Sequence, residues 1–209
     1  MRKTVIGLCA TAALAASAAA SAAPVVLTFE GIADSQPVSD FYAGIGVTFS
    51  PETLALVDTD AGGNGLFANE PSPNTVMFWR DGDYAILNYA AGFDTGFSFY
   101  YSSAEVATVN IYDDVNGEGN LLGWILLSPQ YDDNNCTGDP TGSYCNWTAV
   151  GVAFAGIARS IYFGGEALYT GYDNITLFSD VPGRVPEPAS LVLMGLGLAG
   201  LGFARRRRG

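Results

Sequence analysis

The sequence contains no histidine. That absence removes the Ser-His-Asp triad, whose base is an imidazole. It removes the Cys–His nucleophile pair for the same reason. Zinc loses its usual nitrogen ligand, and three cysteines do not complete a tetrahedral set. Basic residues are scarce as well, nine against twenty-one acids. Six of the nine, Arg2, Lys3 and Arg205 to Arg208, stand at the chain ends. Between Pro24 and Val185 only Arg80, Arg159 and Arg184 face twenty Asp and Glu, a formal charge of −17. Such a body repels nucleic acid and anionic lipid, so neither is an expected partner. It suits a soluble extracellular protein and a hard cation such as calcium. No body segment carries a ten-residue helical period. No internal repeat appears, which argues against a propeller or solenoid.

The front of the chain reads as an address. Arg2 and Lys3 precede an apolar stretch, Val5 to Ala15, and the small residues Ala20-Ser21-Ala22. A charged start, a short apolar middle and an A-x-A site make residues 1–22 a signal peptide for the secretion translocon. The apolar part is too short and Ala-rich for a spanning helix. Cys9 is followed by Ala10-Thr11, which does not suit lipoprotein cleavage. Residues 23–179 then form one domain, long enough to bury a sizeable core. Cys136 and Cys145 flank a polar, Gly/Pro-rich segment. In an oxidising compartment they are expected to close a surface loop as a disulfide. Two free thiols are the alternative. Half a metal site is the other, and it lacks further ligands.

The body is a series of short runs rich in Val, Ile, Thr, Phe, Tyr and Trp, as strands should be. They cover 25–29, 46–49, 54–57, 75–79, 84–89, 93–101, 106–112, 121–127, 148–154, 160–163 and 174–178. Gly62-Gly63-Asn64-Gly65, Asp81-Gly82-Asp83 and Asn116-Gly117-Glu118-Gly119 supply turns, because Gly and Asn accept positive φ. The expected fold class is all-β: a β-sandwich with jelly-roll topology as first choice. After Phe178 the chain turns Pro-rich, and 180–188 is expected to be an extended linker.

The end of the chain reads Val185-Pro186-Glu187-Pro188, then a sixteen-residue uncharged segment, 189–204, then Arg205, Arg206, Arg207, Arg208 and Gly209. The segment is slightly short for a span, and the arginines of 205–209 would stay cytoplasmic. At these residues the chain resembles the PEP-CTERM sorting-signal proteins of Gram-negative bacteria. The resemblance implies a transient transmembrane helix, processing by an exosortase near Pro186-Glu187-Pro188, and delivery to the cell surface or extracellular matrix. The membrane would be a partner only through that helix. A permanent C-terminal anchor is the competing reading. Many family members are taken to be surface or matrix proteins beside exopolysaccharide genes. Leu27 to Gly31, Tyr42 to Phe49 and Tyr172 to Leu177 resemble β-sandwiches found ahead of such tails, and carbohydrate-binding jelly rolls.

From that second resemblance follows a structural calcium. Glu30 at the end of the first strand and Asp173 at the start of the last would converge, with Asp40 as a further candidate. Calcium takes six to eight oxygens, and turn capping is the plainer role for both acids. The acidic loops at Asp58-Thr59-Asp60 and Asp113 to Gly119 read as solvated hairpin ends. Trp147, beside Cys145 and bordered by Tyr131 and Tyr144, is the candidate for stacking on a sugar ring, against ordinary packing. A two-carboxylate glycosidase is the one enzyme class composition allows, yet nothing marks a pair among the acids. The expected function is therefore non-enzymatic: an exported surface or matrix protein associated with exopolysaccharide and biofilm. A carbohydrate-binding module with a defined sugar site is the alternative, and a polysaccharide hydrolase the third class.

Overall fold

Alternating apolar and polar positions require a sheet with one buried face, and the body folds accordingly. The computed structural model describes residues 22–133, 136 and 142–183. Among these, eleven strands form. They are β1 (Val25–Leu27), β2 (Val47–Phe49), β3 (Thr53–Val57), β4 (Thr75–Trp79), β5 (Tyr84–Phe93), β6 (Gly96–Ser103), β7 (Ala107–Tyr112), β8 (Leu121–Leu127), β9 (Thr148–Ala153), β10 (Ala158–Gly164) and β11 (Thr170–Leu177). The expected signal peptide, the Pro186-Glu187-Pro188 motif and the 189–204 helix lie outside the described residues. Among those residues no helix is long and apolar enough to cross a membrane.

The strands form two antiparallel sheets. The first runs β3-β4-β11-β6-β9, with β1 also paired to β11. The second runs β2-β5-β10-β7-β8. From β4 onward the order is that of a jelly roll. Strands β4, β11, β6 and β9 make one sheet, and β5, β10, β7 and β8 make the other. Strands β2 and β3 widen this frame beside β5 and β4.

The period-2 pattern fixes which side chains face inward. In β7, Ala107, Val109 and Ile111 are buried while Thr108 and Asn110 are only half-buried. In β4, Met77 and Trp79 enter the core, leaving Val76 and Phe78 on the outer face. The core is dominated by rings. Phe163 meets Tyr172 at 4.9 Å, Phe97 at 6.1 Å and Phe99 at 6.2 Å between centroids. Trp79 stacks on Tyr172 at 5.9 Å. Tilted and edge-on pairs of this kind add about 0.5–1.5 kcal/mol each beyond the area they bury.

Two strand boundaries differ from expectation and move both calcium candidates. Strand β1 ends at Leu27, because Phe29 adopts φ 63° and turns the chain away. Glu30 therefore sits beyond the strand. Strand β11 begins at Thr170, so Asp173 lies inside it. Strand β5 continues past Tyr89 to Phe93, through Ala90-Ala91-Gly92, whose β-propensity is low.

After β11 the chain folds back over the first sheet. Ser98 Oγ donates to the Ser179 carbonyl at 2.8 Å, and Gly183 N–H to Thr176 Oγ1 at 3.1 Å. A Cβ on Gly151 would strike the Asp180 backbone, so this crossing needs a glycine there. The first residues of the expected linker, Asp180 to Gly183, are thus tied to the domain, and Pro182 is buried.

Phe163→Ala is expected to cost about 3–5 kcal/mol, the usual range for a buried ring truncated without collapse. Urea denaturation should show a lower midpoint at unchanged slope.

Candidate functional site

The first candidate grows out of a gap beside β11. On one edge, β1 pairs with Ile175 to Leu177, and β4 pairs at Tyr172. Asp173 and Asn174 fall between these ladders. On the other edge the register with β6 shifts between Asp173 and Thr176, and Asn174 takes φ 48°. Side chains complete the bonding that the ladders leave out. Asp173 accepts from Ser72 N–H at 2.7 Å, Ser72 Oγ at 2.7 Å and Asn174 N–H at 2.6 Å. Glu30 accepts from Thr75 N–H at 3.0 Å and Thr75 Oγ1 at 3.4 Å. Ser72 Oγ also lies 3.3 Å from the Thr28 carbonyl. The two acids thus meet one segment, Ser72 to Thr75, from two sides.

Their electrostatics are strained. Asp173 is fully buried, and burial pushes its carboxyl up to about 7 against three hydrogen bonds that oppose the rise. The nearby Glu30 charge adds to it. Glu30 is raised too, chiefly by burial. Burial also pushes the Tyr42 phenol up to about 12, with the charges of Asp173 and Glu30 contributing. Its hydroxyl accepts the Phe29 N–H at 2.6 Å. The oxygens gathered here, two carboxylates, two hydroxyls and a carbonyl, are of the kind calcium takes. Their number is small, and both Asp173 oxygens already accept hydrogen bonds. Among the described residues no group of three or more His, Cys, Asp or Glu is placed to hold a metal. Asp40 is exposed and takes no part in the hydrogen bonds of the pair.

The acidic loops act as turns. Asp58 caps the short helical turn Thr59–Ala61, accepting from Asp60 N–H. Asp113 accepts from the Asn120 side chain and N–H at 2.9 and 2.7 Å. Those bonds hold its carboxyl below the usual range. Asp114 caps Val115–Gly117 in the connection between β7 and β8.

The second candidate is a groove of about 290 Å³ on the outer face of the first sheet. Its floor is Leu56 of β3, Val76 and Phe78 of β4, and Gly171 of β11. The 64–68 segment and the 143–147 segment wall it. These two segments hold each other. Ser143 and Tyr144 N–H donate to the Leu66 carbonyl, and Ala68 N–H donates to the Tyr144 carbonyl. Cys136 and Cys145 are joined as expected, with Cα atoms 5.0 Å apart.

Trp147 is set into this wall. Its indole N–H donates to the Ala68 carbonyl at 3.0 Å, and its ring meets Phe67 edge-on at 6.2 Å. It crosses β11 at Gly171, where a Cβ would lie 3.2 Å from its ring. Trp147 is therefore half-buried, packed against this wall while still lining the groove. Tyr144 lines the groove beside it, and Tyr131 packs against Tyr144 at 5.1 Å. Arg80 and Asn64 supply polar groups at the rim. Neither was singled out in the sequence, where both read as ordinary turn-flanking residues. The most open tryptophan is Trp124, 59% exposed on β8. Its run, Leu121 to Leu127, is apolar on both faces, so alternation did not reveal which side was out.

Residues 184–208 match the PEP-CTERM protein-sorting motif. No curated protein matches the chain. Among solved structures the chain is similar to a family 6 carbohydrate-binding module whose binding sub-sites were dissected by crystallography and calorimetry. The identity is 15% and the TM-score 0.39, over 73% of this chain and 92% of that one. It is similar as well to a Clostridium stercorarium module of that family in complex with cellobiose, at 12% identity and TM-score 0.40, over 73% and 92%. A Bacillus subtilis family 43 arabinoxylan arabinofuranohydrolase in complex with cellotetraose aligns at 15% identity and TM-score 0.39, over 70% of this chain and 28% of that one. Such distant likenesses carry no ligand across to this chain. Residues 184–208 constitute a PEP-CTERM sorting signal, which indicates export through a membrane-held intermediate to the cell surface.

Proposed function

We propose that this is a cell-surface or matrix protein, released from its tail by an exosortase, whose sandwich binds extracellular polysaccharide in the groove beside Trp147. One observation carries the binding half of the reading. The groove combines a rigid aromatic wall, Trp147 and Tyr144, with an apolar floor and polar groups at the rim. Sugar rings present apolar C–H faces and polar edges, and that surface complements both. Among the described residues the lining contains no Asp or Glu. Glycoside hydrolysis by the usual route needs two carboxylates across the bond, so the groove supports binding without cleavage. An association with exopolysaccharide or biofilm belongs to the same proposal and is supported by the sorting motif.

A glycan array is expected to show binding that Trp147→Ala abolishes. Because Trp147 also packs against Ala68 and Phe67, a second variant is needed. Leu66→Lys alters an exposed side chain, should leave the melting temperature within about a degree, and should still block binding. An empty array for the folded protein would remove the groove as a sugar site. Intact mass of the surface-exposed protein should show loss of 189–209; retention of that segment would mean a permanent anchor.

Calcium at Glu30 and Asp173 is a further part of the proposal. The convergence of two carboxylates on Ser72 to Thr75 supports it, and a cation would relieve the charge that burial disfavours in both. A ligand specific to the folded state at a hundredfold excess over its Kd stabilises by about 2.7 kcal/mol. Thermal melts should therefore rise with calcium and fall back with chelator. Identical melts would leave the pair as a purely hydrogen-bonded clamp.

A further inference from the structure

Arg80 stands out in the groove. The outward positions of β4 read Val76 and Phe78, and the alternation carries one step further to Arg80. The floor is apolar along the strand and cationic at its end. Arg80 has one hydrogen bond among the described residues, from Nη2 to Ser35 Oγ at 3.1 Å. A guanidinium has five N–H donors arranged as a planar fork that fits a carboxylate. Most of that fork is turned to solvent at the mouth of the groove.

This is unusual for its setting. The body has twenty acids to three arginines. Arg159 is engaged with the protein, donating to the Asp113 carbonyl at 2.8 Å, and its charge favours the Asp113 carboxylate. Among the described residues Arg80 has no such carboxylate in hydrogen-bond contact. Asp34, which shares Ser35 and Asn64 with the rim, is occupied by Val57 N–H at 2.9 Å and the Asn64 amide at 2.6 Å.

Resting on the reading of the groove as a sugar site, we infer that its ligand is a glycan bearing carboxylates, a uronic acid polymer. The ring lies against Phe78 and the Trp147–Tyr144 wall, and the carboxylate takes the Arg80 fork. Positions 78 and 80 are separated by about 6.6 Å along a strand, so one sugar unit can meet both. The net charge of the body opposes a polyanion, but screening confines that repulsion to roughly 8 Å at physiological ionic strength. Among the described residues no acid lines the groove wall, and the rim acid Asp34 is held by Val57, Asn64 and Ser35. The single pairing at Arg80 should make the affinity fall with salt more gently than it would for a basic protein with many contacts.

The test is calorimetric titration of the folded protein with trigalacturonic acid, its methyl ester and neutral galactotriose. The acid should bind about tenfold tighter than the ester, a difference of about 1.4 kcal/mol. Arg80→Gln should abolish that preference, so that acid and ester bind alike, while leaving the melting temperature unchanged. Arg80→Lys should restore part of it, since a point charge lacks the fork. Equal binding of acid and ester, or a preference that survives Arg80→Gln, overturns the uronate assignment while the sugar groove stands. Failure of all three sugars, with the protein folded, sinks the groove reading itself. Tighter binding of an acetylated tripeptide with a free C-terminus would assign Arg80 to a peptide carboxylate and overturn the glycan.

Discussion

The buried hydrogen bonds between Asp173 and Ser72 hold together the part of the first sheet that the ladders do not. Strand β11 is the centre of that sheet, with β6 on one side and both β1 and β4 on the other. The interval between β1 and β4 would expose backbone polar groups inside the protein. A buried donor left unmet costs about 1–3 kcal/mol, so such an interval must be filled. Asp173 fills it by taking both the N–H and the hydroxyl of Ser72, a residue 101 positions away. Glu30 does the same for Thr75 from the other side. Closing the interval this way takes the Asp173 carboxyl out of water beside the Glu30 charge, which is why it resists ionisation.

The groove depends on the same strand. Its wall reaches the sheet because Gly171, two residues before Asp173, has no side chain to hold Trp147 away. The disulfide and the exchange of hydrogen bonds between Leu66, Ala68 and Tyr144 then fix the wall before any ligand arrives. A ring held in place loses little freedom on binding, and that favours affinity more than extra contact area does.

Much of this was legible in the sequence. Runs of strand-forming residues and turn chemistry located all eleven strands, most clearly β7, where buried and half-buried positions alternate. What escaped notice lay where a local pattern was overruled by tertiary structure. The expected last run, 174–178, leaves out Thr170 to Tyr172, yet these residues belong to the central strand, since Tyr172 is buried against Phe163 and Trp79. The convergence of Glu30 with Asp173 was expected, but on strand ends. The place of Glu30 follows from Phe29 in a left-handed conformation, which no propensity suggests for a Phe. Ser72 could not be foreseen as a partner, because long-range side-chain pairing leaves no local signal. Arg80 was invisible as a site residue until β4 put it in line with Val76 and Phe78.

The return of the chain over β6 and β9 has a mechanical consequence. Among the described residues the last hydrogen bond to the domain is made at Gly183, three residues before Pro186-Glu187-Pro188. Three residues reach at most about 10 Å. Both the tether point and the groove belong to the outer face of one sheet. A force pulling on the C-terminus would load β11, β6 and β9 through Thr176 and Ser98 before it reached the groove.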